Sequence, residues 1–355
     1  MPPRFHTLTI RSATHDTADA VVLTFDVPPD LAADYRFAPG QYLTLRRKSA
    51  SRDIRRSYSI CSAPSEPLSV AVKRIPGGAF SEFAMTLSAG DRLDVMTPEG
   101  RFCAQTDSGQ NSYLLLAAGS GITPMMSIAK TTLESEPTSV VTLCYANRST
   151  DSVMFKQAIE DLKDRHMGRF LLTHVMDEEQ QDVALFNGRL DQEKLETLAT
   201  RGLIDPPSYS GIFICGPQPM IEAASGAMKR LGTDPDRIKF ELFTPPGGLP
   251  TASATTAPTR NGKGAKVTIT VDGTSRSFHL DEGEEMVDAA AKAGLEFPYS
   301  CNNGMCATCR CKLTQGQAEM RQNFSLEDWE MAAGFILGCQ LRPLSDAVSL
   351  DFDAV

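Results

Sequence analysis

Cys301-Asn302-Asn303-Gly304-Met305-Cys306-Ala307-Thr308-Cys309, with Cys339 further on, decides how the chain is read. The pattern is C-x4-C-x2-C followed by a distant fourth cysteine, the plant-type spacing for a [2Fe–2S] cluster. Zinc knuckles place their cysteines as C-x2-C pairs, so the four-residue gap favours iron over zinc. Gly304 and its small neighbours let loop amides turn towards the sulfurs. Cys301, Cys306, Cys309 and Cys339 are therefore the candidate ligands, and Cys311 reads as a buried thiol at the start of a strand. Such a cluster exchanges single electrons. The rest of the chain should hold their source and their exit.

Composition narrows the class. A chain of 355 residues suggests two or three domains, and 41% hydrophobic with 22% charged residues is an ordinary globular balance. No apolar run is long enough for a membrane helix, and the start Met1-Pro2-Pro3-Arg4-Phe5-His6 has no apolar core of a signal peptide. A cytoplasmic protein without a membrane partner is expected. Nine cysteines there suggest ligands or buried thiols, and five of them fall between Cys301 and Cys339. Of 35 Lys/Arg and 44 Asp/Glu, 7 and 14 lie in residues 265–355, leaving 28 and 30 for the remainder. The acidity sits on the cysteine-rich end, which argues against nucleic acid.

Residues 1–108 read as an antiparallel β-barrel. Short β-branched runs (7–10, 20–25, 42–45, 56–60 and 68–72) are separated by Pro, Gly and Asp turns. Arg56-x-Tyr58-Ser59 offers a planar cation for a phosphate, a flat ring and a short hydroxyl. Gly77-Gly78-Ala79-Phe80-Ser81 offers backbone amides for an anion, with Ser81 capping a short helix. Taken singly, each is also an ordinary strand or turn.

Residues 109–244 alternate strands and helices, as an open, doubly wound α/β domain does. Tyr113–Ala118 is a buried strand running into Gly119-Ser120-Gly121-Ile122-Thr123-Pro124 and a helix, a turn suited to a dinucleotide pyrophosphate. Further strands are expected at 140–145, 170–175 and 211–215, with helices near 153–164, 191–199 and 217–231. Ligands should gather at the strand carboxyl ends, where Gly119, Arg148 and Cys215-Gly216-Pro217 fall. Cys61, Cys103, Cys144, Met125 and Met126 read as core. Residues 245–264 are Pro-, Gly- and Ala-rich and read as a linker. Residues 265–355 predict a hairpin turning at Asp272-Gly273, a helix over 285–293, the cysteine loop and a last strand, an order that resembles the β-grasp architecture of ferredoxins.

These pieces in this order resemble the ferredoxin–NADP reductase superfamily with a C-terminal plant-type ferredoxin. The likeness covers essentially the whole chain and includes Tyr35–Gln41, Arg55–Cys61, Gly188–Asp191 and Asp351–Ala354. It implies FAD, with Arg56 on its diphosphate, Tyr58 against the isoalloxazine, Ser59 near flavin N5, and Gly78 and Ser81 on a second phosphate contact. It implies a pyridine nucleotide at Gly119, Gly121, Thr123 and Pro124, with Cys215, Gly216 and Pro217 near the nicotinamide. It gives Ser59, Cys215 and Glu241 the catalytic positions, and makes Phe243 a movable cover on the flavin. Arg148 and Ser149 follow the second strand of the α/β domain, where a 2′-phosphate would lie, so NADPH is expected over NADH. The implied activity is an NAD(P)H:acceptor oxidoreductase passing electrons through FAD and [2Fe–2S] to a separate oxygenase, a diiron epoxidase complex. Clients of the same chemistry are a Rieske-type or steroid hydroxylase or a hybrid-cluster protein. A non-catalytic redox sensor is the alternative of another class.

Overall fold

A computed structural model describes residues 4–48, 53–104, 110–243 and 264–354. The expected 108/109 domain boundary and all but the last residue of the 245–264 linker lie outside the described residues. The chain divides into two compact units, one of residues 6–54 and 58–244, the other of 1–5, 55–57 and 245–355.

Six strands form the first sheet: β1 (Phe5–Thr17), β2 (Ala20–Asp26), β3 (Tyr42–Arg47), β4 (Ile54–Ser59), β5 (Ser69–Lys73) and β6 (Arg92–Met96), with the short helix α1 (Ser81–Ala84) before the last. Their order is β4-β3-β6-β1-β2-β5. An antiparallel bridge from Ile60 to Val70 joins the two outer strands, which closes the barrel. Leu8, Ile10, Leu23, Phe25, Leu43, Leu45, Val70 and Val95 fill its interior. The sixth strand is absent from the sequence reading because Arg92 and Asp94 interrupt its apolar pattern. Asp94 is nonetheless buried. Thr7 Oγ1 donates to its Oδ1 at 2.6 Å, while Arg46 Nη2 and Lys48 Nζ reach its Oδ2 at 3.0 and 3.1 Å. Burial pushes that carboxyl up, but the donors from Thr7, Lys48 and Arg46 outweigh it and hold the group below the usual range.

The second sheet is parallel, with order β11-β10-β7-β8-β9. It comprises β7 (Ser112–Ala118), β8 (Val140–Asn147), β9 (Phe170–Met176), β10 (Gly211–Cys215) and β11 (Ile238–Glu241), linked by α2 (Ile122–Ser135), α3 (Lys156–Arg165), α4 (Gln192–Thr200) and α5 (Gln218–Arg230). Buried residues of α2 and α3 pack with Leu115 and Leu143, and those of α4 and α5 with Leu114, Leu116 and Ile212. Helices therefore cover both faces, as a doubly wound sheet requires. The chain runs outward from β7 to β9, then resumes at β10 on the other side of β7. The gap between β7 and β10 is thus the topological switch point. The α2 face also meets the barrel: Ser127 Oγ donates to Ser62 O at 2.7 Å, and Lys130 pairs with Glu66 at 2.9 Å. Met125, Met126, Cys61 and Cys144 are core as expected, whereas Cys103 is only half-buried.

In the second unit, β12 (Ala265–Val271) and β13 (Thr274–Leu280) make the hairpin, and α6 (Met286–Lys292) follows. β14 (Arg310–Gln315), β15 (Ala318–Met320), α7 (Asp328–Ala332), β16 (Phe335–Leu337), β17 (Leu341–Pro343) and β18 (Ala347–Asp351) complete it. The main sheet has order β13-β12-β18-β14-β16, a β-grasp arrangement. Asp272 and Gly273 both take positive φ, 51° and 70°, as a tight primed turn needs. The Asp353 carboxylate accepts both their amides, at 2.9 and 2.8 Å. Trp329 on α7 is 59% exposed, its Nε1 donating to Glu327 at 2.6 Å. The buried Glu330 on the same helix pairs with Arg310 at 2.7 Å.

Arg46→Met should destabilise the barrel by roughly 3 kcal/mol, because it leaves the Asp94 carboxylate buried with weaker compensation. Denaturant unfolding of the variant checks this, and its cost should shrink when Asp94→Asn is added.

Candidate active site and cluster loop

Two glycines bring the α/β domain's loops together at the switch point. A Cβ on Gly121 would stand 2.1 Å from the Cys215 carbonyl oxygen, and one on Gly216 would stand 2.9 Å from the Met220 methyl carbon. The turn after β7 and the end of β10 therefore touch backbone to backbone, a contact that side chains would prevent. Thr123 Oγ1 donates to Ser120 O at 3.0 Å, and Tyr145 hydroxyl donates to Gly119 O at 2.9 Å, so the turn is held from both sides. Pro124 is buried in the first turn of α2, where it removes no helical hydrogen bond.

β11 pairs with β10 so that Glu241 stands beside Cys215. Ser59, at the end of β4, donates to Glu241 Oε2 at 3.1 Å. The structure thus brings Ser59, Cys215 and Glu241, distant in sequence, into one group, with Ser59 and Cys215 buried and Glu241 half-buried. Burial pushes the Glu241 carboxyl up to about 7, against the opposing hydrogen bond from Ser59. Burial, with the Glu241 charge second, raises Cys215 well above the usual thiol range. Cys215 is therefore a neutral thiol, not a thiolate nucleophile.

On β4, Arg56 and Tyr58 share one face by the two-residue period of a strand. Arg56 is exposed, and the Tyr58 ring lies 5.6 Å from that of Phe80. An exposed guanidinium and a half-buried ring leading to the buried Ser59 fit a flavin nucleotide laid along the strand. The Gly77–Ser81 stretch departs from expectation. Its helix is capped by Phe80, and Ser81 is the first helical residue. Ser81 Oγ accepts the Ile75 amide at 3.0 Å, while Glu82 takes the Gly77 amide and Ile75 O the Gly78 amide, both at 2.8 Å. Ser81 thus organises the turn instead of capping the helix, because the chain enters α1 already helical at Phe80. Phe243 lies just past β11 and is 38% exposed.

Arg148 and Ser149 sit apart from this group, beyond β8. Sequence reasoning found no acidic residue near this loop, but the structure folds Glu179 against it. Its Oε2 accepts the Thr150 amide at 2.6 Å and its Oε1 the Thr150 hydroxyl at 2.7 Å. Its distance along the chain hid it.

The cysteine loop is shaped by backbone that most residues avoid. Asn302 and Ala307 take positive φ of 57° and 54°. Gly304 does so at 72°, and a Cβ there would stand 2.8 Å from Gln322 O. As a result the amides of Asn303 and Met305 both point at Cys301 Sγ, at 3.4 Å. Thr308 hydroxyl donates to Cys306 Sγ at 3.2 Å, and Gln340 Nε2 to Cys339 Sγ at 3.4 Å. A hydrogen bond from Cys306, followed by those amides, lowers Cys301 below the ordinary thiol value. Cys301 associates with Cys306 and Cys309 with Cys339, two sulfurs and two sulfurs. Among the described residues no three His, Cys, Asp or Glu side chains gather about a single point. Paired sulfurs ringed by donors fit a two-iron cluster. Cys311 is buried on β14 with its thiol towards Ile336 O, as expected of a structural thiol.

The chain matches three family models in succession: the oxidoreductase FAD-binding domain over residues 7–103, the oxidoreductase NAD-binding domain over 115–226, and the 2Fe-2S iron-sulfur cluster binding domain over 269–344. It is 44% identical to one of the subunits of 1,2-phenylacetyl-CoA epoxidase of Escherichia coli (strain K12), covering 99% of this chain and 98% of that one. It is 36% identical to the 3-ketosteroid-9-alpha-monooxygenase ferredoxin reductase component of Mycolicibacterium smegmatis, covering 98% and 96%. Phthalate dioxygenase reductase, a modular structure for electron transfer from pyridine nucleotides to [2Fe-2S], superposes with a TM-score of 0.60 at 25% identity, covering 98% of both chains.

Glu241 gives stability a pH slope. The unfolded carboxyl ionises near 4.5 and the folded one near 7, so between these values the folded chain holds a proton the unfolded chain has lost. Stability should fall as pH rises through that window, by about 3 kcal/mol in total. In flavin-free protein, Glu241→Gln should flatten this part of the Tm-against-pH profile.

Proposed function

The chain belongs to the family of oxygenase reductases that join FAD-binding, NAD-binding and [2Fe–2S] domains, and we propose that its client is the oxygenase of a phenylacetyl-CoA epoxidase, a diiron enzyme of aerobic phenylacetate degradation. The observation that carries the client is the 44% identity along essentially the full length of both chains, above the 36% shared with a ketosteroid reductase. The nine cysteines are unpaired, which suits work in the reducing cytoplasm.

When bound, FAD and the cluster supply hydride acceptance and one-electron transfer, which no side chain provides. The protein's residues orient and insulate them. Arg56 would neutralise the FAD diphosphate and Tyr58 would lie against the isoalloxazine. Gly78 and Ser81 shape the turn that approaches the second phosphate contact. Gly119, Gly121, Thr123 and Pro124 seat the coenzyme pyrophosphate at the start of α2. Gly216 and Pro217 bring backbone, without bulk, to the nicotinamide beside Cys215. The neutral Cys215 thiol gives that ring an uncharged, weakly polar neighbour. Ser59 would approach flavin N5, and Glu241 fixes its hydroxyl's direction by accepting from it. With its proton held up to about pH 7, Glu241 is placed to exchange one through Ser59. Phe243, 38% exposed just past β11, would cover the flavin and give way to the nicotinamide. Cys301, Cys306, Cys309 and Cys339 hold the two irons, and the amides around them stabilise negative charge on sulfur.

Reconstituted protein mixed with reduced coenzyme and the epoxidase oxygenase should consume oxygen only when phenylacetyl-CoA is present. Failure to reduce even cytochrome c would end the reductase reading. Reduction of cytochrome c without coupling to that oxygenase would end the client assignment alone. Cys306→Ser should lose the cluster absorption and cytochrome c reduction, yet keep flavin reduction within about twofold, since the flavin and coenzyme residues lie outside the loop it disrupts.

A further inference from the structure

Gln340 directly follows Cys339, and its side chain is buried. A primary amide taken out of water is costly unless its donors are used, and a methionine would fill similar space without that cost. Here the amide is spent on the cysteine loop. Its Nε2 donates to Asn302 O at 2.7 Å and to Cys339 Sγ at 3.4 Å. Asn302 directly follows Cys301, and its φ of 57° is one of the loop's left-handed positions. One side chain therefore touches both ends of the ligand set.

The four sulfurs come from two stretches of chain. Cys301, Cys306 and Cys309 share a loop, whereas Cys339 arrives from beyond β16. Two links join the stretches. At one end the Gly338 amide donates to Cys309 O at 2.8 Å. At the other end, beside Cys301, the link is the Gln340 side chain. The Cys339–Gln340 backbone is fixed from outside the loop, since Arg321 Nη2 donates to Cys339 O at 2.9 Å and the Arg321 amide to Gln340 O at 3.0 Å. The loop also closes on the Gln340 stem, because a Cβ on Gly304 would stand 3.4 Å from Gln340 Cγ. The Asn303 and Met305 amides and the Thr308 hydroxyl serve sulfurs of their own loop. Gln340 instead ties that loop to the distant fourth ligand.

We propose that Gln340 is a positioning residue for the cluster: its one amide braces the loop against Cys339 and, by donating to the Cys339 sulfur, makes the cluster easier to reduce. This rests on the reading that the four cysteines hold two irons. Reduction adds negative charge that the sulfurs share, so a donor at sulfur stabilises the reduced form more than the oxidised one.

Gln340→Met keeps the bulk and removes both donors. In FAD- and cluster-loaded protein, a redox titration followed by electron paramagnetic resonance should show the cluster's reduction constant about tenfold lower, a potential about 59 mV more negative. Release of iron to a chelator, read as loss of the visible cluster absorption, should quicken at least about tenfold. A role in packing alone would leave the potential where it is. An unmoved potential therefore overturns the proposal, as does an unmoved release rate. Should the Met variant take up no cluster, Gln340→Glu keeps the shape and gives the reading. A potential at or above the parent's overturns the proposal. A lower one supports it, as does failure to hold the cluster in a variant whose circular dichroism matches the parent apoprotein. Absence of iron–sulfur absorption from the unaltered, reconstituted protein would overturn the cluster reading beneath it.

Discussion

The contact on which the reductase unit depends is the one between Gly121 and the carbonyl of Cys215. Two loops from neighbouring parallel strands approach until no Cβ fits between them. That approach aligns the start of α2 with the end of β10. Because β11 pairs in register with β10, it also fixes Glu241 beside Cys215. From there one hydrogen bond reaches Ser59 in the barrel. Backbone proximity at a single point thus lets a sheet and a barrel share a group that neither forms alone. The shared core of α2 with the barrel supports it over a larger area.

Burial decides the chemistry within that group. Cys215 would be a nucleophile in an electropositive, open site, but here desolvation keeps its proton on. Glu241 would be an ordinary carboxylate at the surface, but burial moves its titration to neutral pH, where a proton can be either kept or given. At Cys301 the bias is opposite. The Asn303 and Met305 amides converge on its sulfur and stabilise the anionic form that iron requires.

What the sequence made legible follows from how local each signal is. Cysteine spacing, the Gly119–Pro124 turn and the Asp272-Gly273 hairpin are encoded within a few residues, and the structure has them where they were expected. Apolar periodicity found the long parallel strands for the same reason. β6 was hidden because its buried Asp94 is satisfied by residues on other strands, a fact no local pattern carries. Ser81 looked like a helix cap because caps and turn organisers draw on the same residue types. Glu179 was invisible because its partner, Thr150, lies a whole helix and strand earlier. Gln340, by contrast, could have been suspected from its place beside Cys339.

The tryptophan on α7 has a use that its surface position makes easy to overlook. It is the chain's one tryptophan, and its helix is tied through Glu330 to Arg310, which directly follows Cys309. Its emission therefore carries no background from the flavin and coenzyme domains. A visible-absorbing metal centre forming in the adjacent loop would quench it. The chain thus contains its own optical gauge of iron loading, readable during maturation without any label attached.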